Sequence, residues 1–152
     1  MSSSDISHTG HCFCMAVGYQ VTGKPFLSAY CHCTLCQRSH GAAFISSLHF
    51  SASRFSWTHA KPHDTALDVF VTSETGKRYR CKACGSTIAF FNLEANEWSV
   101  WGAQLDRDEK GDFIGWDLLK PTAHIFYDTR LVDVKDDLGK WTGYEGESQR
   151  IA

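Results

Sequence analysis

Hydrophobic and polar residues alternate over short stretches along most of this chain. Val17, Tyr19 and Val21 occupy every second position of one such stretch, which ends at Gly23 and Pro25. A period of two places residues on one face of a β-strand. Similar stretches, rich in the β-branched and aromatic residues that favour strands, lie at 42–50, 66–73, 86–92, 97–105 and 124–131. The pattern therefore predicts a mainly β protein built from short strands.

Helices and linkers are scarce in the same pattern. No segment keeps a helical period beyond about two turns, and the best candidate for a short helix is TLCQRSHG at 34–41. The polar sequences ETGK at 74–77 and RDEKGD at 107–112 indicate turns. Because no repeat or low-complexity linker divides the chain, we predict one domain over residues 11–143 with flexible ends at 1–10 and 144–152.

Length and charge narrow the function classes. A chain of 152 residues can bury one core without crosslinks. Its formal net charge of -2 argues against a nucleic acid or an anionic membrane as partner, since either favours a basic surface. The longest apolar runs, such as IAFF at 88–91, are far shorter than the roughly 20 residues that span a bilayer. The sequence MSSSDISHTGH also lacks the features of a secretory signal, so we expect a cytoplasmic protein in a reducing compartment.

Seven cysteines carry the candidate chemistry of this chain. An odd number of cysteines cannot pair completely in disulfides, and closely spaced cysteines in a reducing compartment are more often metal ligands. The spacings C-x-C, C-x-C-x-x-C and C-x-x-C are all typical of metal chelation. The three groups are Cys12 with Cys14, then Cys31, Cys33 and Cys36, which we call the three-cysteine group, and finally Cys81 with Cys84.

The first and last groups fit one closed zinc site. Residues i and i+2 of an extended segment point to the same side, so Cys12 and Cys14 can bind one ion together. The C-x-x-C turn of Cys81 and Cys84 lets two more sulfur atoms converge, and Gly85 supplies the permissive backbone after it. Four thiolates are typical of a structural zinc site.

The three-cysteine group lacks a fourth ligand. His32 is the nearest by type, but the middle residue of an extended C-H-C segment points away from its neighbours. A distant ligand such as His124 or His40 is a further alternative. Water or substrate in the fourth position would be typical of a catalytic zinc. Three thiolates and a dication leave a net charge of about -1, so such a site suits an incoming thiol, bound as thiolate.

A second partition of the cysteines stays open. Cys33 and Cys36 can combine with Cys81 and Cys84 into C-x-x-C…C-x-x-C, a zinc-ribbon pattern. This arrangement leaves the other three cysteines without a metal.

Four segments of the sequence, in order, resemble the glutathione-dependent formaldehyde-activating enzyme family, which is related to centromere protein V. They are HCFC…GYQVTGKP, CHCTLCQRSHGAAF, RYRCKACGSTIAF and PTAHIFYDTRLVDVKDDLGKWTG, and together they extend from about His11 to Gly143. The resemblance implies a β-tent fold of antiparallel sheets with zinc-binding turns. It implies two zinc ions, a structural one on Cys12, Cys14, Cys81 and Cys84 and a catalytic one on Cys31, Cys33 and Cys36.

The resemblance also implies an activity. Members of this family are zinc-dependent carbon-sulfur lyases that form or cleave S-hydroxymethylglutathione, with glutathione as co-substrate; a bulkier thiol adduct is an alternative substrate. A non-catalytic glutathione- or thiol-binding protein and a zinc-stabilised interaction module are the alternative functions. The chain departs from the family pattern at Met15, where glycine is usual, and at Gln37 and Arg38, where paired arginines are frequent.

Residues other than cysteine each have two interpretations. Arg38 is a candidate for binding a substrate carboxylate, or it forms a surface ion pair. His124 is a candidate active-site acid, base or hydrogen-bond donor, or a structural histidine. Phe44 lines the substrate pocket or belongs to the core. An anionic substrate needs basic residues near the site, and the nearest in sequence are Arg38, Lys77, Arg78 and Arg80.

The two cysteine partitions predict different zinc contents. We expect about two zinc ions per chain in freshly purified, reduced protein, since all seven cysteines then have a metal role. Elemental analysis before and after addition of glutathione measures this content, together with glutathione binding that depends on Cys36. A content near one would contradict the arrangement of four plus three cysteines and favour the ribbon.

Overall fold

The fold consists of two β-sheets with two short helices, and the computed structural model describes it for residues 6–152. No helix in that range is long and apolar enough to cross a membrane. In chain order the elements are β1 (Ser7–His11), β2 (Gly18–Thr22), β3 (Leu27–Cys31), α1 (Thr34–His40), β4 (Ile45–Ser51), β5 (Phe55–Trp57), β6 (Leu67–Ser73), β7 (Gly76–Cys81), β8 (Thr87–Asn92), β9 (Glu97–Trp101), α2 (Trp116–Leu119), β10 (Ala123–Ile125) and β11 (Gly139–Lys140).

The sheets differ in size and strand direction. The smaller sheet is antiparallel, with the strand order β1-β2-β5, and the larger one has the order β11-β10-β3-β4-β9-β8-β7-β6. All neighbours in the larger sheet are antiparallel except β10, which runs parallel to both β3 and β11. The mainly β fold predicted from the alternating pattern is confirmed.

The main core fills the space between the two sheets. The predicted alternation is confirmed in β2, because Val17, Tyr19 and Val21 are all fully buried there. They share one apolar cluster with residues of the larger sheet such as Leu48 and Val100. Burying aliphatic and aromatic side chains of this size contributes about 1.5–3 kcal/mol each, so this interface is the main source of stability in the fold.

The opposite face of the larger sheet carries a second apolar cluster, and we call it the α1 face because α1 packs against it. Directly opposed residues on neighbouring strands point to the same side of a sheet. Cys31 is opposed to Ile45 on β4, and Trp101 is opposed to Ser47 on the same strand. On this face Cys31, Ile45 and Trp101 form one cluster with Cys36 of α1. The three-cysteine group therefore lies on the α1 face of the larger sheet.

The elements match the sequence pattern in most of the predicted segments. Strands occur in each predicted stretch, and the predicted helix at 34–41 is α1. The stretch 124–131 is strand only as far as Ile125, because Phe126 has a φ of 51° in the left-handed region and the chain then forms a 3-10 turn. Five strands escaped the pattern, because they have too few alternating apolar residues: β1, β3, β5, β7 and the two-residue β11.

Both chain ends pair with the domain beyond its predicted limits of 11 and 143. Residues 7–10, predicted as part of a flexible end, form most of β1 and pair with β2. Near the other end, Trp141 forms an isolated bridge with Arg150, and the Ile151 N–H donates to the Lys140 carbonyl at 2.8 Å. The rest of the predicted N-terminal end, residues 1–5, lies outside the described residues.

Candidate metal centre

Two tight turns bring four cysteines together; we call Cys12, Cys14, Cys81 and Cys84 the four-cysteine group. Cys12 directly follows β1, and its turn is closed by the Met15 N–H, which donates to the Cys12 carbonyl at 3.1 Å. The Val17 N–H donates to the sulfur of Cys12 at 3.3 Å. Backbone donors of this kind stabilise a thiolate and fix its direction.

The second turn joins β7 to β8. Cys81 is the last residue of β7, and Gly85 donates its N–H to the Cys81 carbonyl at 2.8 Å with a φ of 77°, which glycine adopts without strain. Ser86 links this turn to the first one, because its hydroxyl accepts from the Phe13 N–H at 3.1 Å and lies 3.1 Å from the sulfur of Cys84. The sequence pattern did not single out Ser86.

The geometry of the four-cysteine group fits one tetrahedral zinc ion. All four sulfur atoms lie within 4.8 Å of one another, and the Cys12–Cys14 and Cys14–Cys81 sulfur pairs are both 3.7 Å apart. Zinc–sulfur bonds of about 2.3 Å in a tetrahedron place the sulfur atoms about 3.8 Å apart. The cysteines are all free, so four soft donors face a common centre. The residues present therefore fit zinc.

Local hydrogen bonds prepare one of these ligands for metal binding. The Ser86 side chain, followed by backbone N–H groups, lowers the pKa of the Cys84 thiol to about 5. Hydrogen bonds to the charged form favour deprotonation, and the thiolate is the form that binds zinc.

The three-cysteine group forms at the junction of β3 and α1. Cys31 ends β3, and Cys33 is the N-cap of α1, whose sulfur accepts from the Cys36 N–H at 3.3 Å. Gly41 ends the helix in the left-handed conformation, with its N–H bonded to the Gln37 carbonyl. The three sulfur atoms lie within 4.8 Å of one another.

Crowding of the three thiols shifts their ionisation in opposite directions. Hydrogen bonds with Cys31 and Cys36 lower the pKa of the Cys33 thiol. Hydrogen bonds with Cys33 and Cys36, followed by burial, raise the pKa of the Cys31 thiol. Three thiolates in this space repel one another, so a cation that replaces the protons relieves the conflict.

His32 lies outside the set of three sulfur donors. It is fully buried, and its Nε2 is 2.8 Å from Nδ1 of His124. His124 is likewise fully buried and pairs in register with Tyr30, the residue before Cys31, so its side chain belongs to the sheet face opposite to Cys31. The alternation predicted for the C-H-C segment therefore separates the two histidines from the sulfur atoms.

A hydrogen-bonded chain continues from these histidines to the protein surface. The Nε2 of His124 is 2.7 Å from Oδ2 of Asp136, whose other oxygen accepts from the Lys140 ammonium at 2.5 Å. Burial raises the pKa of Asp136, but hydrogen bonds with His124 and Lys140 outweigh it and bring that pKa to about 2. Since Asp136 accepts from His124 Nε2, Nδ1 of His124 accepts from His32 Nε2.

Other side chains fix the three-cysteine loop from outside. The Gln37 amide donates to the carbonyls of His32 and Thr129, at 2.7 and 2.9 Å. The Thr129 hydroxyl also donates to the His32 carbonyl at 3.1 Å. Gln37 thus ties the loop to the turn after β10.

The remaining candidates lie at different distances from the sulfur atoms. Arg38 is exposed and is about 200° around α1 from Cys36, so it points away from the three-cysteine group. Phe44 packs behind the group, where its ring stacks on His32 at 4.7 Å. His40 is about 40° from Cys36, one turn later on the same side of α1, and packs edge-on against Trp101 at 4.7 Å.

Several buried polar atoms of residues 6–152 have no hydrogen-bond partner, and those on the α1 face include Nε2 of His40, Nη1 of Arg78 and Nε1 of Trp101. Burial, followed by the charge of Arg78, lowers the pKa of His40 to about 4, so its ring is neutral at neutral pH. An unpaired buried donor costs about 1–3 kcal/mol, so three together indicate a place for a ligand.

The two cysteine groups are distinct in space. The structure assembles Cys81 and Cys84 with the first pair, Cys12 and Cys14, and leaves the three-cysteine group by itself. This grouping is the arrangement favoured by strand geometry, and it differs from the ribbon alternative.

Comparison with known proteins agrees with this cysteine pattern. The family model of the glutathione-dependent formaldehyde-activating enzyme matches residues 7–129, which include all seven cysteines. The chain belongs to this family. Among solved structures, the chain is similar to the crystal structure of a Rhodobacter sphaeroides protein, with a sequence identity of 21% and a TM-score of 0.48. The match covers 69% of this chain and 96% of the other. No curated protein matches the chain significantly.

The turn after Cys14 predicts a stabilising substitution. Met15 has a φ of 70°, a left-handed conformation that costs a residue with a side chain about 1–2 kcal/mol. We expect Met15→Gly to raise the free energy of unfolding by about 0.5–1 kcal/mol, because part of the gain is offset by the greater chain entropy of glycine. Denaturant unfolding of the zinc-loaded protein measures this difference.

Gly85 offers a matched control of opposite sign. A Cβ at this position would meet nothing within 4 Å, so Gly85→Ala tests the backbone conformation at φ 77° alone. It should destabilise the protein by about 1 kcal/mol. Equal effects of the two substitutions would contradict the strain assigned to Met15.

The buried histidine chain predicts an effect of Asp136. Asp136→Asn removes the charged acceptor of His124 and Lys140, and we expect a loss of about 1–3 kcal/mol in the free energy of unfolding at pH 7. The pKa of Asp136 is lowered, so its contribution is complete above the ordinary carboxyl pKa of about 3.9 and disappears as pH falls towards about 2.

The neighbouring Asp137 is exposed and supplies the control. Asp137→Asn should change the same stability by less than about 0.5 kcal/mol, as surface substitutions usually do. If both variants were equally stable, the hydrogen-bonded chain would not contribute to the fold.

Proposed function

We propose that this protein is a zinc-dependent carbon-sulfur lyase that forms or cleaves a hydroxymethyl adduct of glutathione or of a bulkier thiol. The observation that carries the proposal is the contrast between a complete set of four sulfur donors and an incomplete set of three. Membership of the family supplies the substrate class, glutathione and formaldehyde. We further propose two zinc ions per chain, the four-cysteine group holding a structural one and the three-cysteine group a catalytic one.

The donor sets give the two sites different roles. The four-cysteine group offers a full tetrahedral shell between two turns that belong to different sheets, as expected of a structural site. The three-cysteine group offers three donors; His32 and His124 are bonded to each other, and no histidine of the described residues joins the three sulfur atoms. A zinc ion held there supplies a soft acceptor that stabilises a substrate sulfur as thiolate.

The reaction needs no redox partner. In the forming direction the thiol sulfur bonds to the carbonyl carbon of formaldehyde, and the thiol proton ends on the oxygen that was the carbonyl oxygen. In the cleaving direction the hydroxyl loses that proton, the carbon-sulfur bond breaks and the sulfur takes up a proton. Residues of this chain must therefore orient a sulfur and an oxygen and shelter them from bulk water.

Two unpaired groups on the α1 face suit the oxygen. The Trp101 Nε1–H is a donor only, and it is buried without a partner among residues 6–152. The neutral ring of His40 packs on Trp101 and presents a second unpaired nitrogen. In this proposal they hydrogen-bond the developing oxygen charge.

The histidines behind the loop have a positioning role in this proposal. His32 lies between two of the three sulfur ligands in sequence, and its ring is held by His124 and by Phe44. Fixing this ring fixes the direction in which Cys31 and Cys33 point. A reducing compartment such as the cytoplasm is part of the proposal, because all seven cysteines must stay free thiols or thiolates.

Substitution of one ligand in each group tests the proposal. Cys36→Ser should leave a folded protein with about one zinc ion that forms the glutathione adduct only at the uncatalysed rate. Cys84→Ser should unfold the chain, because a structural zinc contributes directly to folding. NMR exchange spectroscopy of glutathione with formaldehyde measures the rate, and circular dichroism with elemental analysis measures folding and zinc content.

Each other outcome has a defined meaning. If Cys36→Ser kept the rate of the wild type, the three-cysteine group would not be catalytic. If both variants unfolded equally, both groups would be structural and the chain would be an interaction module. If the wild type bound glutathione at a site dependent on Cys36 but never exceeded the uncatalysed rate, the protein would be a thiol-binding protein without turnover.

A further inference from the structure

Three cavities of the described residues differ in their charge and in their position relative to the α1 face. The cavity of 600 Å³ has two lysines, Lys24 and Lys120, against four acidic residues, Glu97, Asp117, Glu145 and Glu147. This net negative charge disfavours an anionic substrate. The cavity of 450 Å³ includes Arg38 but lies along the outer side of α1, with Gln37 and Leu131. Neither cavity suits an anion that must also reach the sulfur atoms.

The cavity of 510 Å³ combines positive charge with the correct face of the sheet. Its charged residues are Asp68, Arg78 and Arg80. Arg80 pairs with Asp68 at 3.3 Å, so the charge of Arg78 is left over. Arg78 is opposed to Phe90 on β8, which is opposed to Ser99 on β9, two residues from Trp101. Arg78 therefore points to the α1 face.

Among residues 6–152, Arg78 is a half-buried cation without a hydrogen bond or an ion pair. Its guanidinium makes a cation–π contact with Phe90, whose ring centroid is 5.2 Å from the guanidinium carbon. Its Nη1 is fully buried without a partner. A guanidinium offers five donors in a planar fork, so a buried nitrogen without an acceptor is unfavourable unless a ligand supplies one.

Continuous packing joins Arg78 to the three-cysteine group. Phe90, under the guanidinium, packs against the cluster that contains Cys31, Cys36 and Trp101. The guanidinium therefore lies on the same apolar cluster as Cys31 and Cys36, on the α1 face of the larger sheet.

We propose that Arg78 binds a carboxylate of the substrate thiol, which makes the cavity of 510 Å³ a carboxylate subsite next to the sulfur-binding position. This inference rests on the proposed function for the sulfur-binding position, but the subsite itself does not require turnover. A guanidinium and a carboxylate form two parallel hydrogen bonds, which fix orientation as well as contribute affinity.

The charge of the cavity favours a single carboxylate. One uncompensated guanidinium balances one negative charge, whereas a phosphate carries up to two and needs further donors. Exposed Phe70, opposed to Arg78 on β6, forms an apolar wall beside it. The substrate class is therefore a thiol with a carboxylate on a short carbon chain, of which glutathione is one member.

A matched pair of thiols tests the subsite. Calorimetric titration of the zinc-loaded protein with 3-mercaptopropionate and with neutral 3-mercaptopropanol gives the preference for the carboxylate. We expect the wild type to prefer the carboxylate about tenfold or more, since a buried charge-assisted hydrogen bond has that effect. Arg78→Gln should abolish the preference by weakening only the carboxylate, and Arg78→Lys should keep part of it.

Two other arginines supply controls for general charge effects. Arg80→Gln, made together with Asp68→Asn so that no carboxylate is left unpaired, removes the neighbouring ion pair from the same cavity, and Arg38→Gln removes a positive charge from the outer side of α1. Both variants should keep the preference within about twofold, as expected for screened surface charges. The subsite is overturned if Arg78→Gln keeps the preference of the wild type, or if all three variants reduce it equally.

A measurement without thiol separates this inference from the proposed function. Propionate added to ¹⁵N-labelled protein should shift the Arg78 Nε–H resonance in a saturable manner; Arg78→Gln identifies that resonance by its loss. If neither thiol binds but propionate produces this shift, the thiol-dependent function falls and the carboxylate subsite stands. If propionate leaves the Arg78 resonance unchanged, the subsite is overturned.

Discussion

The convergence of four sulfur atoms within 4.8 Å is the constraint on which the arrangement of the two sheets depends. Cys12 and Cys14 belong to the turn between β1 and β2 of the smaller sheet, whereas Cys81 and Cys84 belong to the turn between β7 and β8 of the larger one. Thiolates this close repel one another, so a cation among them both removes the repulsion and joins the sheets. The apolar core between the sheets then packs beside the two turns that the four-cysteine group joins.

Alternation along a single strand places the cysteine thiols and the histidine network on opposite faces of the larger sheet. Cys31 points to the α1 face of the larger sheet, while Tyr30 and His124 point to the other side. His32 continues this alternation and joins His124, Asp136 and Lys140 in one hydrogen-bonded chain. A hydrogen-bonded polar network thus lies on one side of the sheet and the three sulfur donors lie on the other. The same strand period that builds the sheet orders the site.

Unpaired polar atoms mark the part of the site that the protein does not complete by itself. His40, Arg78 and Trp101 are among those of residues 6–152 that have a buried polar atom without a hydrogen-bond partner. All three lie around the α1 face beside a sulfur set with three donors rather than four. Free donors and an open ligand set in one place suit a small anionic thiol better than a protein partner, which would need a broad apolar surface.

The sequence by itself determined the strand-rich fold class, the short helix and the three cysteine clusters, because strand period and chelate spacing are local properties. It also placed His32 opposite its neighbouring cysteines for the same reason. The structure decided that Cys81 and Cys84 join Cys12 and Cys14 rather than Cys33 and Cys36. The tertiary structure alone decided which distant residues join the sulfur atoms. Arg38 is next to the three-cysteine group in sequence but lies on the outer side of α1, whereas Arg78 reaches the α1 face through three strand pairings. Register between strands far apart in the chain is set by packing, and no local pattern encodes it.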